Sequence, residues 1–266
     1  MKMLHKMRLN NKPFSAIIDG KKTIELRLND EKRQKVCVGD FIEFKNINAP
    51  GRLVTVRVTA LHRYDSFEEL FKVLPKEKCG FRADEEIPAD HMDSYYSPEK
   101  QKEYGALGIE FRLTELQRFI DAQNYGFSFG ETYAAAFQEM KNGYKASCWM
   151  WYVFPQIKGL GSSSKTVYFS ISDLAEAKDY YAHPVLGSRL REITSMLLDI
   201  DSDDPVNVFG IPDAYKLRSC MTLFKTAAPE DKLFQQVLDK FCGGKDDGRT
   251  LSILGRQGRN KNNENS

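Results

Sequence analysis

Long apolar stretches are missing from this chain of 266 residues, in which hydrophobic residues make up 41% and charged residues 29%. No window approaches the roughly eighteen consecutive apolar residues that a membrane-crossing helix requires. The first ten residues carry charges, and no apolar segment follows them, so we expect no secretory signal peptide. These absences predict a cytoplasmic protein that does not act in a membrane.

Paired cysteines are missing as well. The five cysteines are isolated, and none is spaced as Cys-x-x-Cys. This pattern argues against a disulfide framework or a zinc site, so each cysteine is expected to be a small buried residue or an unreactive thiol. His5 and His91 are expected at the surface. Since no phosphate-loop, serine–histidine–aspartate or metal motif stands out, we predict neither a metal nor a cofactor.

A strong excess of one charge is also absent, because 39 Lys and Arg residues face 37 Asp and Glu residues. The basic excess is local: residues 1–45 hold 11 basic and 6 acidic residues. A duplex nucleic acid needs many phosphate contacts, whereas a compact anionic ligand needs few. The distribution therefore favours a local anionic ligand near the N-terminus, with a well-solvated surface as the alternative.

Alternation with a period of two residues dominates the N-terminal half and predicts strands. The runs that show it are residues 23–28, 40–44, 53–60 and 107–112. Turn signals such as Gly39-Asp40 and Pro50-Gly51 separate them. Short helices are expected between the strands, at residues 13–19, 66–71 and 97–100. Several short strands with few helices predict a small β-barrel.

Helical periodicity replaces this pattern after Leu113. The expected helices are residues 114–120, 132–140, 174–181, 184–200, 214–224 and 230–241. The aromatic run 149–154 fits either a strand or a buried helix. The predicted fold class is therefore α+β, with a β-barrel domain over residues 1–113, a mostly helical domain over 114–254 and a disordered tail over 255–266.

The segment 19–27, Asp-Gly-Lys-Lys-Thr-Ile-Glu-Leu-Arg, combines a glycine turn with charged residues at the start of a strand. Glu25 and Arg27 share one face of that strand because two positions separate them. Together with Lys21 and Lys22 they could grip a phosphate and contact the polar edge of a base. The guanidinium of arginine can donate two parallel hydrogen bonds to one phosphate, whereas the ammonium of lysine acts as a point charge. An exposed strand with ion pairs is the alternative.

Several stretches in this order resemble the ASCH domain over residues 7–113. They are residues 20–27, 38–44, 60–70 and the ending 95–109. The resemblance implies a barrel similar to the PUA fold that binds RNA or a nucleotide at a cleft containing the Gly-Lys-x-Glu-x-Arg-like strand. His62 and Arg63 follow a strand and precede a helix, so they are candidates for the same cleft, although a lone histidine is more often structural.

Some ASCH members resemble amidohydrolases that act on acetylated cytidine, and this resemblance supplies an enzymatic alternative. It assigns the chemistry to a lysine after the glycine turn, a threonine three positions later and a distant glutamate. Lys22 matches the lysine, Glu25 stands at the threonine position, and Glu69 or Glu110 is a candidate for the distant glutamate. Lys22 and Glu25 are therefore the candidate catalytic residues.

Residues 147–164 hold both tryptophans and end in a loop of glycine and serine. The aromatic residues fit either a core or a platform for a stacked base. Together with residues 183–187 and 216–224, this run resembles a bacterial domain of unknown function, DUF1810, over residues 114–254, which implies a mostly helical fold. The expected second pocket consists of Trp149, Trp151, Gln156, His183, Arg189, Lys216 and Arg218.

We favour a binding module for RNA or a nucleotide-like small molecule, with the helical half as an accessory domain and protein partners left open. The alternatives are a hydrolase of modified nucleosides or nucleotides and a structural adaptor without a pocket. We expect Lys22→Ala and Arg27→Ala to weaken ligand binding with little loss of stability.

Overall fold

The computed structural model describes residues 2–88 and 90–264, with side chains described as far as Arg259. The chain divides into two compact units, Met1–Glu115 and Leu116–Ser266. Unit 1 contains a sheet and unit 2 is built from helices, so the predicted α+β class is confirmed. Among the described residues, no helix is both long enough and apolar enough to cross a membrane.

The sheet of unit 1 is a curved half-barrel with the strand order β1-β3-β4-β5-β2. Strands β1 and β3 are parallel, and the other neighbours are antiparallel. The strands are β1 (Leu4–Leu9), β2 (Ile24–Leu28), β3 (Phe41–Asn46), β4 (Leu53–Tyr64) and β5 (Ala106–Leu113). The α-helices are α1 (Asn11–Ile18), α2 (Phe67–Val73) and α3 (Pro98–Tyr104).

Apolar side chains are buried on both sides of this sheet. On the α1 side, Phe14 and Ile17 of α1 pack with strand residues such as Ile109. On the α2 side, Leu70 of α2 packs with Ile24. Burying one such side chain contributes about 1.5–3 kcal/mol to folding. Because strand residues alternate between sides, Glu25 and Arg27 of β2 lie on the α1 side, opposite Ile24 and Leu26.

Unit 2 is organised around a helix that is buried on most of its surface. This helix, α11, packs against α8, α12 and α13, and it buries Leu217, Cys220, Leu223 and Phe224. An apolar surface of this width is typical of a central core helix. The helices of unit 2 are α4 (Gln117–Tyr125), α5 (Tyr133–Lys141), α6 (Met150–Val153), α7 (Ser164–Tyr168), α8 (Leu174–Ala182), α9 (Leu186–Met196), α10 (Pro205–Phe209), α11 (Asp213–Ala227), α12 (Leu233–Cys242) and α13 (Gly248–Glu264).

The last helix covers residues for which the sequence predicts a disordered tail. Helix α13 continues from Gly248 to Glu264, whereas the tail was expected from residue 255. Its first turn is fixed by Asp247, whose carboxylate accepts hydrogen bonds from the backbone N–H and the hydroxyl of Thr250. A capped first turn allows the helix to extend through a polar sequence. Residues 265 and 266 lie outside the described part of the chain.

Candidate functional site

A cavity of about 430 Å³ opens in unit 1 between α1, strand β2 and the segment that follows α2. Its volume falls within the range of small-molecule pockets. Both charged and aromatic side chains reach it. The lining residues are Arg8, Leu9, Asn10, Lys12, Pro13, Ala16, Lys22, Glu25, Leu26, Arg27, Cys79, Gly80, Phe81, Glu85, His91, Met92, Tyr95 and Tyr96.

Lys22 lies at the base of this cavity and is buried, with 6% of its side chain exposed. Its Nζ donates hydrogen bonds to the carbonyl oxygens of Ile24, at 2.8 Å, and Cys79, at 2.6 Å. The carboxylate of Glu25 lies 3.4 Å from the same nitrogen. Two of the three donors of the ammonium therefore bond backbone carbonyls, and the Glu25 carboxylate balances its charge. Lys22 therefore connects β2 to the segment around Cys79.

Glu25 and Arg27 form the charged wall of the cavity. Nη2 of Arg27 lies 3.0 Å from Oε1 of Glu25 and also donates to the carbonyl oxygen of Arg8, at 3.0 Å. Burial acts to lower the pKa of Arg27, but the interactions with Glu25 and Tyr96 outweigh it and raise that pKa. The guanidinium is therefore permanently charged. Among the described residues, Nε of Arg27 has no hydrogen-bond partner.

Aromatic side chains also line the cavity, and Phe81, His91, Tyr95 and Tyr96 are called the aromatic wall below. The rings of Phe81 and His91 meet edge to face, with centroids 5.2 Å apart, and His91 lies 6.0 Å from Tyr95. Tyr96 stacks on Phe67 with centroids 6.0 Å apart and parallel planes. Such a wall offers faces and edges against which a planar ring can pack. His91 was expected at the surface, and the structure shows it half-buried and lining the cavity.

The charge of the lining is positive. Four Lys and Arg residues face two Glu residues, and the neighbouring thiol adds no negative charge because burial raises the pKa of Cys79 to about 11. A positive lining with an aromatic wall suits a ligand that carries both a phosphate and a planar ring. The sequence indicates Lys22, Glu25 and Arg27 for this cavity, and the structure brings all three together.

Other residues predicted for this cleft lie elsewhere. Lys21 is 77% exposed and pairs with Asp19 at 3.5 Å. His62 pairs with Glu110 at 2.9 Å on the α2 side, since Glu110 stands opposite Ile24 in the sheet register. Arg63 is exposed near the end of β4. None of Lys21, His62 and Arg63 lines the cavity, and their part in ligand binding stays a prediction.

A bulge in β4 explains why His62 lies on the unexpected side. Val58 packs on the α1 side, and the register shifts between Val58 and Ala60. Before the shift, even-numbered residues of β4 such as Val56 and Val58 pack on the α1 side. After the shift, the odd-numbered Leu61 packs there. An extra residue in one strand reverses the alternation that follows it. A sequence pattern of period two cannot reveal this change of side.

In unit 2, several residues of the expected second pocket support the fold. Trp149 is fully buried and donates from Nε1 to Oε2 of Glu139 at 2.7 Å. His183 is also buried, and its Nδ1 accepts hydrogen bonds from the backbone N–H groups of Val185 and Leu186. Burial, with a smaller effect of Arg189, lowers the pKa of His183 to about 4. These contacts indicate a structural role for both residues.

Arg189 and Arg218 also make structural contacts. Arg189 donates to the side-chain oxygens of Gln123 and Asn124, at 3.2 and 2.9 Å. Arg218 donates to the backbone oxygen of Lys245 at 3.0 Å and to that of Asp246, which fixes the loop before α13. The structure therefore does not bring these side chains together as one pocket: Trp149, His183, Arg189 and Arg218 each make separate structural contacts.

Trp151 and Lys216 do lie together. Nζ of Lys216 is 4.7 Å from the centre of the Trp151 ring. Both side chains are partly exposed, unlike Trp149. Gln156 lies in the segment that follows α6, and its backbone oxygen accepts a hydrogen bond from the N–H of Ile171. Of the expected second set, Trp151 and Lys216 are the two half-buried side chains that contact each other.

Sequence profiles of two families match the chain. The profile of DUF1810, a protein family of unknown function, matches residues 113–254, and that of the ASCH domain matches residues 7–115. These ranges confirm the predicted order of the two regions. The ASCH match indicates an RNA-binding type of fold for unit 1.

Three solved structures are similar to parts of the chain. The conserved hypothetical protein Rv1873 from Mycobacterium tuberculosis is 40% identical, and the match covers 53% of this chain and 96% of that protein, with a TM-score of 0.50. The hypothetical protein PH0355 is 30% identical, over 42% of this chain and 99% of its own, with a TM-score of 0.37. Protein PF0455 from Pyrococcus furiosus is 32% identical, and the match covers 42% of this chain and 97% of that protein, with a TM-score of 0.33. No curated protein matches the chain.

Proposed function

The chain belongs to the DUF1810 family and carries an ASCH domain ahead of the DUF1810 region, and from this premise we propose that the cavity of unit 1 binds RNA or a nucleotide. The ligand enters as one nucleotide, whose phosphate contacts Arg27 and whose base packs on the aromatic wall. The observation that carries this proposal is the guanidinium of Arg27, held at the cavity by Glu25 at 3.0 Å.

Arg27 suits phosphate recognition for two reasons. Its orientation is fixed, because Nη2 contacts both Glu25 and the backbone of Arg8, so little side-chain entropy is lost on binding. Its positive charge is permanent, because the interactions with Glu25 and Tyr96 raise the pKa of a side chain that is already a strong base. A planar guanidinium forms short, strong hydrogen bonds with phosphate oxygens. Arg8 and Lys12 add positive charge to the same lining.

The aromatic wall accounts for the rest of the nucleotide. Phe81, His91 and Tyr95 present ring faces and edges along one side of the cavity. Stacking of a base on an aromatic side chain contributes about 1–3 kcal/mol and tolerates different bases. RNA recognition in particular relies on unpaired bases that stack in this way. A single-stranded segment or a free nucleotide is therefore favoured over a duplex.

Hydrolysis of a modified nucleoside is the alternative, with Lys22 and Glu25 as its catalytic residues. General acid–base chemistry requires a side chain that can reach the reacting atom and exchange a proton with it. Lys22 donates to two backbone carbonyls and forms an ion pair with Glu25, and Glu25 is shared with Arg27. These pairings favour ligand binding over catalysis at this cavity.

The first test replaces Arg27 and measures affinity by titration calorimetry with a nucleoside monophosphate and a short single-stranded RNA. A hydrogen bond to a charged group contributes about 1.5–3 kcal/mol, so we expect Arg27→Ala to weaken binding about 10- to 100-fold. Arg27→Lys keeps the charge and should recover part of the affinity. Arg63→Ala is the matched control, because Arg63 is an exposed arginine of unit 1 that does not line the cavity.

Equal affinity of the wild type and Arg27→Ala, with both proteins folded by circular dichroism, would remove the proposed site. A loss confined to Arg63→Ala would move the site to the end of β4. The enzymatic alternative has its own test, in which the protein is incubated with acetylcytidine and other modified nucleosides and products are sought by mass spectrometry. Turnover that disappears in Glu25→Gln, with the variant folded by circular dichroism, would favour the hydrolase.

A further inference from the structure

A second set of positive charges surrounds a tryptophan of unit 2. Trp151 lies on α6, and its ring is approached by Lys165 of α7 and Lys216 of α11. The Nζ atoms lie 5.2 and 4.7 Å from the ring centre. Each distance is typical of an attractive cation–π contact. Each of these two helices therefore places one ammonium group near the indole ring of Trp151.

Positive charge exceeds negative charge in this cluster. Asp213 pairs with Lys216 at 2.8 Å and with Lys145 at 2.7 Å. Only 10% of the Lys145 side chain and 19% of the Lys216 side chain are exposed. Lys165 has no carboxylate partner among the described residues. Lys145 and Lys216 therefore share one carboxylate, and Lys165 adds a further ammonium group beside the Trp151 ring.

An excess of this kind is unfavourable without a counter-charge, because partly buried like charges repel each other and lose hydration. The indole ring offsets only part of the repulsion, since the ring carries a quadrupole and no net negative charge. An anion bound between Lys165 and Lys216 would relieve it. Lysine ammonium groups recognise phosphate as point charges and do not require a planar partner.

We propose that Lys165, Trp151 and Lys216 form a binding site for a small ligand that carries a diphosphate group. Both ammonium groups lie within about 5 Å of the same ring centre, so they are at most about 10 Å apart, which permits a diphosphate to contact both. Its several negative charges complement the ammonium groups of Lys165 and Lys216. The part-burial of Lys216 favours a small ligand over an extended polymer backbone. This site is independent of the proposed function of unit 1.

Tryptophan fluorescence of the full-length protein tests the proposal, with inorganic pyrophosphate as the probe. Trp149 and Trp151 are the two tryptophans of the chain, and Trp149 is fully buried. We therefore expect pyrophosphate to cause a saturable change that Trp151→Phe abolishes. Lys165→Gln should weaken binding about tenfold or more, because it removes one charged contact. A nucleoside diphosphate, added in a second series, shows whether a base increases the affinity.

Lys178→Gln is the matched control, because Lys178 is an exposed lysine of the same unit and the substitution removes the same charge. We expect it to leave the affinity unchanged. Lys165 contacts the ring without an ion pair, so Lys165→Gln should keep the fold, which circular dichroism checks. Equal weakening by Lys165→Gln and Lys178→Gln, or no saturable change together with no heat in calorimetry, overturns the proposal. Displacement of pyrophosphate by a much lower concentration of single-stranded RNA overturns the assignment to a small ligand.

Discussion

The burial of Lys22 predicts that Lys22→Ala will destabilise the protein strongly. In the wild type, Nζ of Lys22 satisfies the backbone oxygens of Ile24 and Cys79. The substitution leaves both without this donor, and each such buried group costs about 1–3 kcal/mol. Glu25 retains Arg27 as a partner, so its charge is not left alone. The expected loss in the free energy of unfolding is therefore about 3 kcal/mol.

Urea unfolding at neutral pH, followed by circular dichroism, measures this loss. Lys22→Met serves as a second variant, because it keeps the apolar stem and removes only the donors, and it should lose nearly as much stability as Lys22→Ala. Lys21→Ala is the matched control. Lys21 is 77% exposed and pairs with Asp19 at 3.5 Å, and exposed pairs contribute at most about 1 kcal/mol.

Equal midpoints for Lys22→Ala and Lys21→Ala would refute the reasoning, since the two neighbours would then be energetically equivalent. The same burial revises the sequence-based expectation that Lys22→Ala affects binding with little loss of stability. A loss of ligand affinity in this variant would reflect damage to the fold as well as to the site. Arg27 is for this reason the residue with which to test binding.

Two further predictions concern unit 2. Burial lowers the pKa of His183 to about 4. Between pH 6.5 and pH 4 the histidine is therefore protonated in the unfolded chain and neutral in the folded chain. The free energy of unfolding should fall by about 3 kcal/mol as the pH drops through this range. Denaturation at several pH values should show a flatter dependence for His183→Asn, which keeps an acceptor for the N–H groups of Val185 and Leu186. Gly187→Ala should destabilise by about 3 kcal/mol, because its Cβ would lie 1.9 Å from the backbone oxygen of Tyr181. Thermal unfolding measures the loss of stability. The control is Gly255→Ala, whose Cβ meets open space, and we expect it to be neutral or stabilising. Equal changes in melting temperature for the two variants would contradict the predicted clash at Gly187.

The strands that show clear alternation could be predicted from sequence, and one strand could not. Strands β2 to β5 overlap the runs of period two. Strand β1 (Leu4–Leu9) has only Met7 and Leu9 buried, while Lys6 and Arg8 are exposed, so its pattern is too short to stand out. It is fixed by parallel pairing with β3, a contact between distant parts of the chain. Such pairing leaves no local signal.

The chemistry of the cavity was partly visible in the sequence, because Lys22, Glu25 and Arg27 lie on one short segment. Their burial was not visible, since lysine and glutamate are almost never buried unless they are paired. The segment that covers Lys22 contains Cys79, 57 positions along the chain. Phe81, His91 and Tyr96 belong to the same distant region, and nothing in their spacing indicates a shared wall. Long-range contacts of irregular segments therefore account for what the sequence leaves out.

The bond from Lys22 to Cys79 has a consequence for how quickly and how tightly the cavity can be filled. The N–H of Thr23 also donates to the carbonyl oxygen of Lys78, at 2.9 Å, so this wall is tied to β2 at two adjacent points before any ligand arrives. Preorganisation of this kind spares an incoming molecule the entropy of arranging a loop. Association should then approach the rate of a rigid docking event, without a slow closing step.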